Sequence, residues 1–174
     1  MVEGVNDMKK IIIIGVVFML SLFSGCNSDF TKNEIDTQAN TIFEAIKTKN
    51  VDLFKTVLSQ NALNSEDLES GIEYCFDLLG EKTFEIEKMG CPEHDRFDSG
   101  KRKKWIDGAY IITTNEGSEY FLDFSYWIIN DDDENYLGIN TIKISENIDD
   151  ISQQYVSSSE YQRFGVYNPN WDIE

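Results

Sequence analysis

The sequence is poor in basic residues, and this shortage excludes one large class of partners. It has 15 lysines and arginines against 32 aspartates and glutamates, and its formal net charge is −17. Binding to nucleic acid needs clustered Lys and Arg side chains that contact phosphates, so the composition argues against a nucleic acid partner. The basic run GKRKKW at 100–105 is interpreted as balancing neighbouring acids on an exposed strand. The alternative for this run is contact with anionic headgroups or a wall polymer.

Histidine and cysteine are also scarce, which weighs against metal and thiol chemistry. His94 is the one histidine, in the stretch CPEHD at 91–95, which we interpret as a loop. A zinc site usually takes three or four Cys or His ligands, so we predict no metal site there. Cys75 falls on an apolar helix face, where free cysteine behaves as a small hydrophobe. A Cys75–Cys91 disulfide is the alternative, and a catalytic cysteine is disfavoured by the lack of further histidines.

The chain has no uncharged apolar run long enough to span a bilayer comfortably. Such a span needs roughly 20 apolar residues, whereas the uncharged stretch from Ile11 to Ser24 has about 14. Lys9 and Lys10 precede it and small residues follow it. A basic head, an apolar core of roughly 7–15 residues and a small-residue cut site are typical of a signal peptide.

The end of this stretch, LFSGC at 22–26, resembles the lipobox of bacterial lipoproteins. The resemblance implies that the leader is cut before Cys26, which then carries a thioether-linked diacylglycerol. Two acyl chains make a stable anchor, since each buried CH₂ contributes about 0.8 kcal/mol. The sequence departs from the pattern at Phe23, where that family prefers Leu. The alternatives are a secretory signal cut elsewhere and an uncut anchor.

These features predict three segments and a location. Residues 1–25 are predicted as a lipoprotein signal peptide, 26–33 as a lipidated polar tether, and 34–174 as one domain. We expect that domain on the extracytoplasmic face of the cell membrane, held there by the lipid on Cys26.

The hydrophobic pattern of the domain changes from helical to alternating near residue 80. Helices are predicted over roughly 33–49, around 53–58 with Asn50 as N-cap, and up to 79. Strands are predicted near 84–87, at 103–115, at 118–130 and at 136–147. Helices followed by an antiparallel meander predict an α+β domain, with helices on one face of about four strands. The aromatic tail after residue 160 is expected to pack back onto the domain.

No pattern that carries catalytic chemistry is recognisable. There is no nucleophilic triad, no phosphate-binding loop and no obvious pair of carboxylates, so we predict no catalytic residues and no cofactor. The acidic stretch DDDEN at 131–135 does not match an EF-hand, because Tyr136 and Ile142 stand where Gly and Glu are required. We interpret DDDEN as a solvated turn.

One strand offers a candidate ligand site. On the strand at 118–130, one face is entirely apolar, while the other mixes the apolar Phe121, Trp127 and Ile129 with Asp123 and Ser125. If helices cover the mixed face, Asp123 and Ser125 lie in an apolar pocket suited to binding or acid–base chemistry. If that face points outward, these residues are ordinary surface.

Several segments resemble a family of uncharacterised lipoproteins, mostly from Gram-positive bacteria, with a nuclear-transport-factor-2-like domain. The matching segments are FEAIKTKNVDLFKTVLSQNAL, KRKKW, YIITTNEGSEYFLDF, ENYLGINTIKI and GVY. The resemblance implies a cone-like curved sheet around a long helix, with a pocket between them. It brings no catalytic residues, because that family has no assigned activity.

The sequence therefore favours a lipid-anchored binding or interaction domain without enzymatic activity. Its partner would be a small molecule or another envelope protein. One alternative is an enzyme that uses Asp123 as an acid or base. Another is an acidic surface that captures cationic peptides or metal ions.

Overall fold

A computed structural model of the chain describes residues 28–146 and 164–167, with side chains from residue 33 onward. The predicted lipidation residue, Cys26, lies outside the described residues. The compact unit Glu34–Glu174 holds all the elements that follow, apart from the first six residues of the opening helix.

The described chain opens with helices whose apolar stripes were readable in the sequence. They are α1 (Ser28–Thr48), α2 (Val51–Lys55), α3 (Gln60–Leu63) and α4 (Leu68–Leu79). Helix α1 begins five residues before the predicted start, so it includes residues 28–33, which were predicted as a polar tether. The helix predicted up to residue 79 is α4, and its apolar residues at helical spacing are all buried: Leu68, Ile72, Cys75, Phe76 and Leu79.

Both short helices, α2 and α3, begin at a side-chain cap, but only α2 was predicted from the sequence. The Asn50 side chain accepts a hydrogen bond from the backbone N–H of Leu53, as a helix N-cap does. Ser59 does the same for Ala62 at the start of α3. Helix α3 has only four residues, which is too few to show a helical period.

One mixed sheet follows the helices. Its strands are β1 (Phe84–Gly90), β2 (Glu93–Asp98), β3 (Lys101–Thr114), β4 (Glu119–Asn130), β5 (Gly138–Ser145) and β6 (Gly165–Tyr167). The order is β1-β3-β4-β5-β6, and β2 also pairs with β3, beyond the end of β1. All pairs are antiparallel except β5 with β6, which run parallel.

The α+β class is thus confirmed, and the strand count is corrected from four to six within the described residues. The first extra strand is β2, which occupies most of the CPEHD segment that was predicted as a loop. Its residues are almost all polar and exposed, so no alternation of apolar residues marks it. The second is β6, so the described part of the aromatic tail, residues 164–167, packs onto the sheet, while the rest of that tail lies outside the described residues.

The two faces of the sheet have different surroundings. The helices cover the face that carries Tyr110, Leu122 and Phe124, which belong to the hydrophobic core with the buried stripes of α1 and α4. Helix α1 lies on this face, where the Phe43 ring meets the Tyr110 ring edge-on at 5.5 Å between centroids. The opposite face, called the outer face below, carries the odd-numbered residues of β4 from Phe121 to Trp127.

No helix in the described part of the chain combines the length and apolar character that crossing a bilayer requires.

Candidate functional site on the outer face of the sheet

The three residues singled out by sequence share the outer face. Asp123, Ser125 and Trp127 alternate along β4, away from the helices. Of the two arrangements left open by the sequence, the helix-covered one is therefore not the one found, because the helices lie on the other face. Ordinary exposed surface is also the wrong description, because Ser125 and Trp127 are buried and Asp123 is half-buried.

The pairing of the strands arranges the outer face in rows. Asp123 lies between Ala109 of β3 and Lys143 of β5. In the next row, Ser125 lies between Asp107 and Thr141. In the third row, Trp127 stands opposite Trp105, and His94 of β2 stands on the far side of Trp105.

A half-buried ion pair and a half-buried contact between a histidine and an aspartate occupy neighbouring rows. Lys143 Nζ lies 2.8 Å from Asp123 Oδ2, and each side chain is 28 % exposed. His94 Nε2 lies 2.9 Å from Asp107 Oδ2, with exposures of 26 % and 24 %. These four residues are called the outer-face cluster below. Because all four are about three-quarters buried, their interactions are screened far less than those of an exposed ion pair.

Burial dominates the electrostatics of the cluster. Removal from water raises the pKa of Asp107, although the neighbouring His94 and Lys143 act in the opposite direction. Burial also raises the pKa of Asp123, and the Lys143 ammonium opposes that change. For Lys143, burial is the largest influence and favours the neutral amine, but the charge and hydrogen bond of Asp123, together with the nearby Tyr167 and Asp107, raise the pKa. The two carboxyl groups are therefore more basic than free aspartate.

A stack of aromatic rings closes one end of the cluster. The His94 and Trp105 rings are stacked at 4.7 Å between centroids, and Trp105 and Trp127 at 4.9 Å. Tyr136 tilts against Trp127 at 5.2 Å, and Phe164 meets Tyr136 edge-on at 5.3 Å. This stack fixes the position of the His94 ring beside Asp107.

One buried donor in this stack is unused. Trp127 is 7 % exposed, and its indole N–H has no hydrogen-bond partner in the described part of the chain. The corresponding donor of Trp105 is used, since it hydrogen-bonds Asp107. A buried polar atom without a partner costs free energy, so an unsatisfied donor in a folded protein calls for an explanation.

The basic run at 100–105 lies next to acidic side chains, as expected from its interpretation as a run that balances neighbouring acids. Lys101 and Lys103 both pair with Asp132 of the DDDEN turn, at 2.5 and 2.6 Å. These two lysines lower the pKa of Asp132 to about 2 through hydrogen bonds and charge. Arg102 holds Asp95 of β2 with two guanidinium hydrogen bonds of 3.0 and 2.6 Å. The cations of this run are thus engaged within the protein.

The two cysteines of the described chain are both free thiols. Cys75 is fully buried in α4, and burial raises the pKa of its thiol to about 12. Cys91 is partly exposed between β1 and β2. Within the described residues, no three His, Cys, Asp or Glu side chains converge as metal ligands would.

Sequence reasoning missed His94, Asp107 and Lys143 as partners of the predicted site. His94 was examined only as a metal ligand, because β2 was not recognised as a strand beside β3. Asp107 and Lys143 carry a readable signal, since each interrupts an apolar stretch of its strand, at KKWIDGAY and INTIKI. A charged residue inside an apolar strand indicates a buried partner.

A model of a family described as a domain of unknown function (DUF5104) matches residues 41–154. The match covers most of the helices and the sheet as far as β5. A comparison with curated proteins gives no match.

Proposed function

The chain belongs to the DUF5104 family, a domain of unknown function, and we propose that it is a lipid-anchored binding domain on the extracytoplasmic face of the membrane. Its site is the outer-face cluster, and its ligand is a small polar molecule that carries an oxygen acceptor. The proposal has two parts, anchoring and binding, which are supported by different observations.

The anchoring part is supported by the leader and the cysteine. The segments follow one another in the order of a lipoprotein leader. Lys9 and Lys10 come first, the apolar stretch 11–24 follows, and the sequence LFSGC ends at Cys26. A chain modified in this way would partition into membranes. Labelled palmitate should enter the wild-type protein in bacterial cells, and Cys26→Ser should abolish both the label and the membrane association. Equal labelling of the two proteins would reject the anchor.

The binding part is carried by the unused N–H of Trp127. This buried donor lies in the row next to Asp107, Ser125 and Thr141, and Asp123 follows one row further along. A ligand oxygen would satisfy the Trp127 donor, while hydroxyl or amino groups on the same ligand would donate to the carboxylates. The ordered rings and half-buried charges form a rigid frame, so little entropy is lost on binding.

The binding part can be tested with a panel of free amino acids and monosaccharides. We expect at least one compound to raise the Tm of the wild-type chain and to change the fluorescence of the stacked tryptophans. Trp127→Phe, which removes the donor and keeps a ring, and Asp123→Asn should each reduce the affinity about tenfold, the loss of about one good hydrogen bond.

The matched control is Glu85→Gln, at an exposed acid of β1 that forms no ion pair with any other described residue. It should bind as the wild type does. A panel without any stabilising compound, or the same affinity in wild type, Asp123→Asn and Trp127→Phe, would reject the site.

A second candidate function is an enzyme that uses Asp123 as an acid or base. The observation that favours it is the raised pKa of Asp123, since general acids and bases often have pKa values raised by burial. Turnover of a bound panel compound by the wild type, lost in Asp123→Asn while binding persists, would establish it. Binding without turnover would instead support the proposal of a non-enzymatic binding domain.

We further infer that the sheet adopts the cone-like form of the nuclear-transport-factor-2-like superfamily. The inference is supported by the long helix α1, which lies on one face, and by register shifts within β3–β4 and β4–β5 pairing that would bend the sheet. A crystal structure with a flat sheet would contradict it.

A further inference from the structure

The two ends of strand β3 lie at opposite ends of the sheet and differ in charge. One end forms a hairpin with β2, and the turn of this hairpin is made by Ser99 and Gly100, both with positive φ. Residues 93–104 are called the hairpin end below. The other end of β3 leads into the turn before β4, and residues 115–119 are called the acidic end. The fourteen residues of β3 place the two ends up to roughly 46 Å apart.

The hairpin end carries the most exposed large apolar side chain of the described residues. The Phe97 side chain is 74 % exposed. Its strand, β2, is otherwise polar and almost entirely exposed. A single exposed apolar residue is common on a protein surface, so the surroundings of Phe97 decide whether it marks a contact.

The charges of the hairpin end are balanced, although the molecule as a whole is strongly acidic. Residues 93–104 contain five lysines and arginines against three acids, while the whole chain has a net charge of −17. Asp131 and Asp132 of the neighbouring DDDEN turn contact this end and bring its charge to zero. The acidic end contains Glu116 and Glu119 and no basic residue. An anionic surface would therefore repel the acidic end but not the hairpin end.

Helix α1 enters the domain near the hairpin end and runs toward the acidic end. Glu34 accepts a hydrogen bond from the hydroxyl of Tyr126, which pairs with Ile106 in the half of β3 nearer the hairpin end. At the end of the helix, Lys47 Nζ lies 4.8 Å from the centre of the Phe84 ring. Phe84 pairs with the last residue of β3, beside the acidic end. The chain that precedes Glu34 therefore joins the domain on the side of the hairpin end.

The proposed anchor is close to this side in the sequence. Eight residues lead from Cys26 to Glu34. Eight residues span at most roughly 29 Å, whatever path they take. A lipid on Cys26 would therefore keep the side of the domain that carries Glu34 near the bilayer.

We propose that the hairpin end docks on the lipid surface, with the Phe97 ring inserted among the headgroups. This inference rests on the proposed lipid anchor at Cys26. The balanced charge avoids repulsion by anionic headgroups, and a phenylalanine ring is favourably buried at the boundary between headgroups and acyl chains. One ring is too weak to attach the domain, since even a single myristoyl chain binds only marginally. The contact instead sets the orientation, with the strands of the sheet running away from the bilayer and the acidic end farthest from it.

Photo-crosslinking of the full chain in bacterial cells tests this orientation. The photoreactive analogue benzoylphenylalanine replaces Phe97 in one protein and Glu116 in a matched control. Both positions are exposed, so neither replacement disturbs the core. After irradiation, mass spectrometry should find a phospholipid adduct at position 97. Its yield should be about ten times that at position 116, because the two ends lie up to roughly 46 Å apart.

Fractionation of the same cells distinguishes a failure of the docking from a failure of the anchor. Protein that is in the membrane fraction but gives no phospholipid adduct at position 97 overturns the docking and leaves the anchor standing. Equal yields at positions 97 and 116 have the same meaning, and so does an adduct with a wall polymer or a protein instead of lipid. Protein that is absent from the membrane fraction overturns both proposals.

Discussion

At the scale of single residues, the pair Asp123–Lys143 determines how the outer face behaves. Neither charge is fully solvated, and the free-energy cost of burying each one is offset by its attraction to the other. Removing one partner leaves the other half-buried without its counter-charge, which is more costly than removing both. The pair therefore makes a specific prediction about coupling between the two positions.

Lys143→Met and Asp123→Asn should each lower the free energy of unfolding by about 1–2 kcal/mol, since the pair is only partly buried. The double variant should lose less than the sum of the two single losses. Urea unfolding of the four proteins measures the coupling energy. The exposed pair Lys49–Glu81 is the control and should show almost no coupling. Strictly additive losses at Asp123 and Lys143 would contradict the ion pair.

The residue types of the site could be predicted from sequence, but their partners could not. Asp123, Ser125 and Trp127 stood out because they share the face of β4 that mixes polar with apolar side chains. Their neighbours Asp107 and Lys143 are 16 and 20 residues away from Asp123 along the chain. Those contacts depend on the register of the paired strands. When both faces of a strand are buried, a single sequence does not specify that register.

At the scale of elements, the packing of β6 against α4 depends on one glycine. A Cβ atom added to Gly71 would come within 1.8 Å of the backbone oxygen of Val166. Val166 is 1 % exposed and belongs to the core, so the clash cannot be relieved toward solvent. This small residue near the start of α4 therefore allows the closing strand to lie directly on the helix.

The sign of the stability change caused by Gly71→Ala tests whether β6 packs against α4. In an exposed helix interior this change stabilises by about 1 kcal/mol, but here the backbone clash should destabilise by about 2 kcal/mol. Thermal unfolding should show a lower Tm for Gly71→Ala, while the exposed Glu73→Ala on the same helix stays near the wild type. A Tm equal to or above the wild type for Gly71→Ala would show that β6 does not pack there.

The elements that sequence predicted are those with a strong apolar period. Helices α1 and α4 and strands β3 and β4 each bury a regular stripe, so their pattern is visible without any knowledge of the fold. Strand β2 was not predicted because its pairing with β3 involves charged side chains such as Asp95 and Arg102. The pairing of β4 with β5 shifts its register at Asn140. The Asn140 side chain accepts a hydrogen bond from Ser59, which lies 81 residues earlier in the chain, so this shift is not visible in the local sequence.

At the scale of the whole molecule, the net charge bears on the proposed lipid anchor. A net charge of −17 disfavours attraction to anionic lipid, so a membrane location, as proposed, would require a means of attachment other than charge. Two acyl chains on Cys26 would provide it independently of charge. We therefore expect membrane association that persists in high salt, in contrast to association through basic residues.

The most direct measurement is the mass of the N-terminal peptide of the protein isolated from bacterial membranes. The account predicts a peptide that begins at Cys26 and carries a diacylglycerol on its sulfur, with residues 1–25 removed. A peptide that retains those residues, or one that begins elsewhere without lipid, would contradict it.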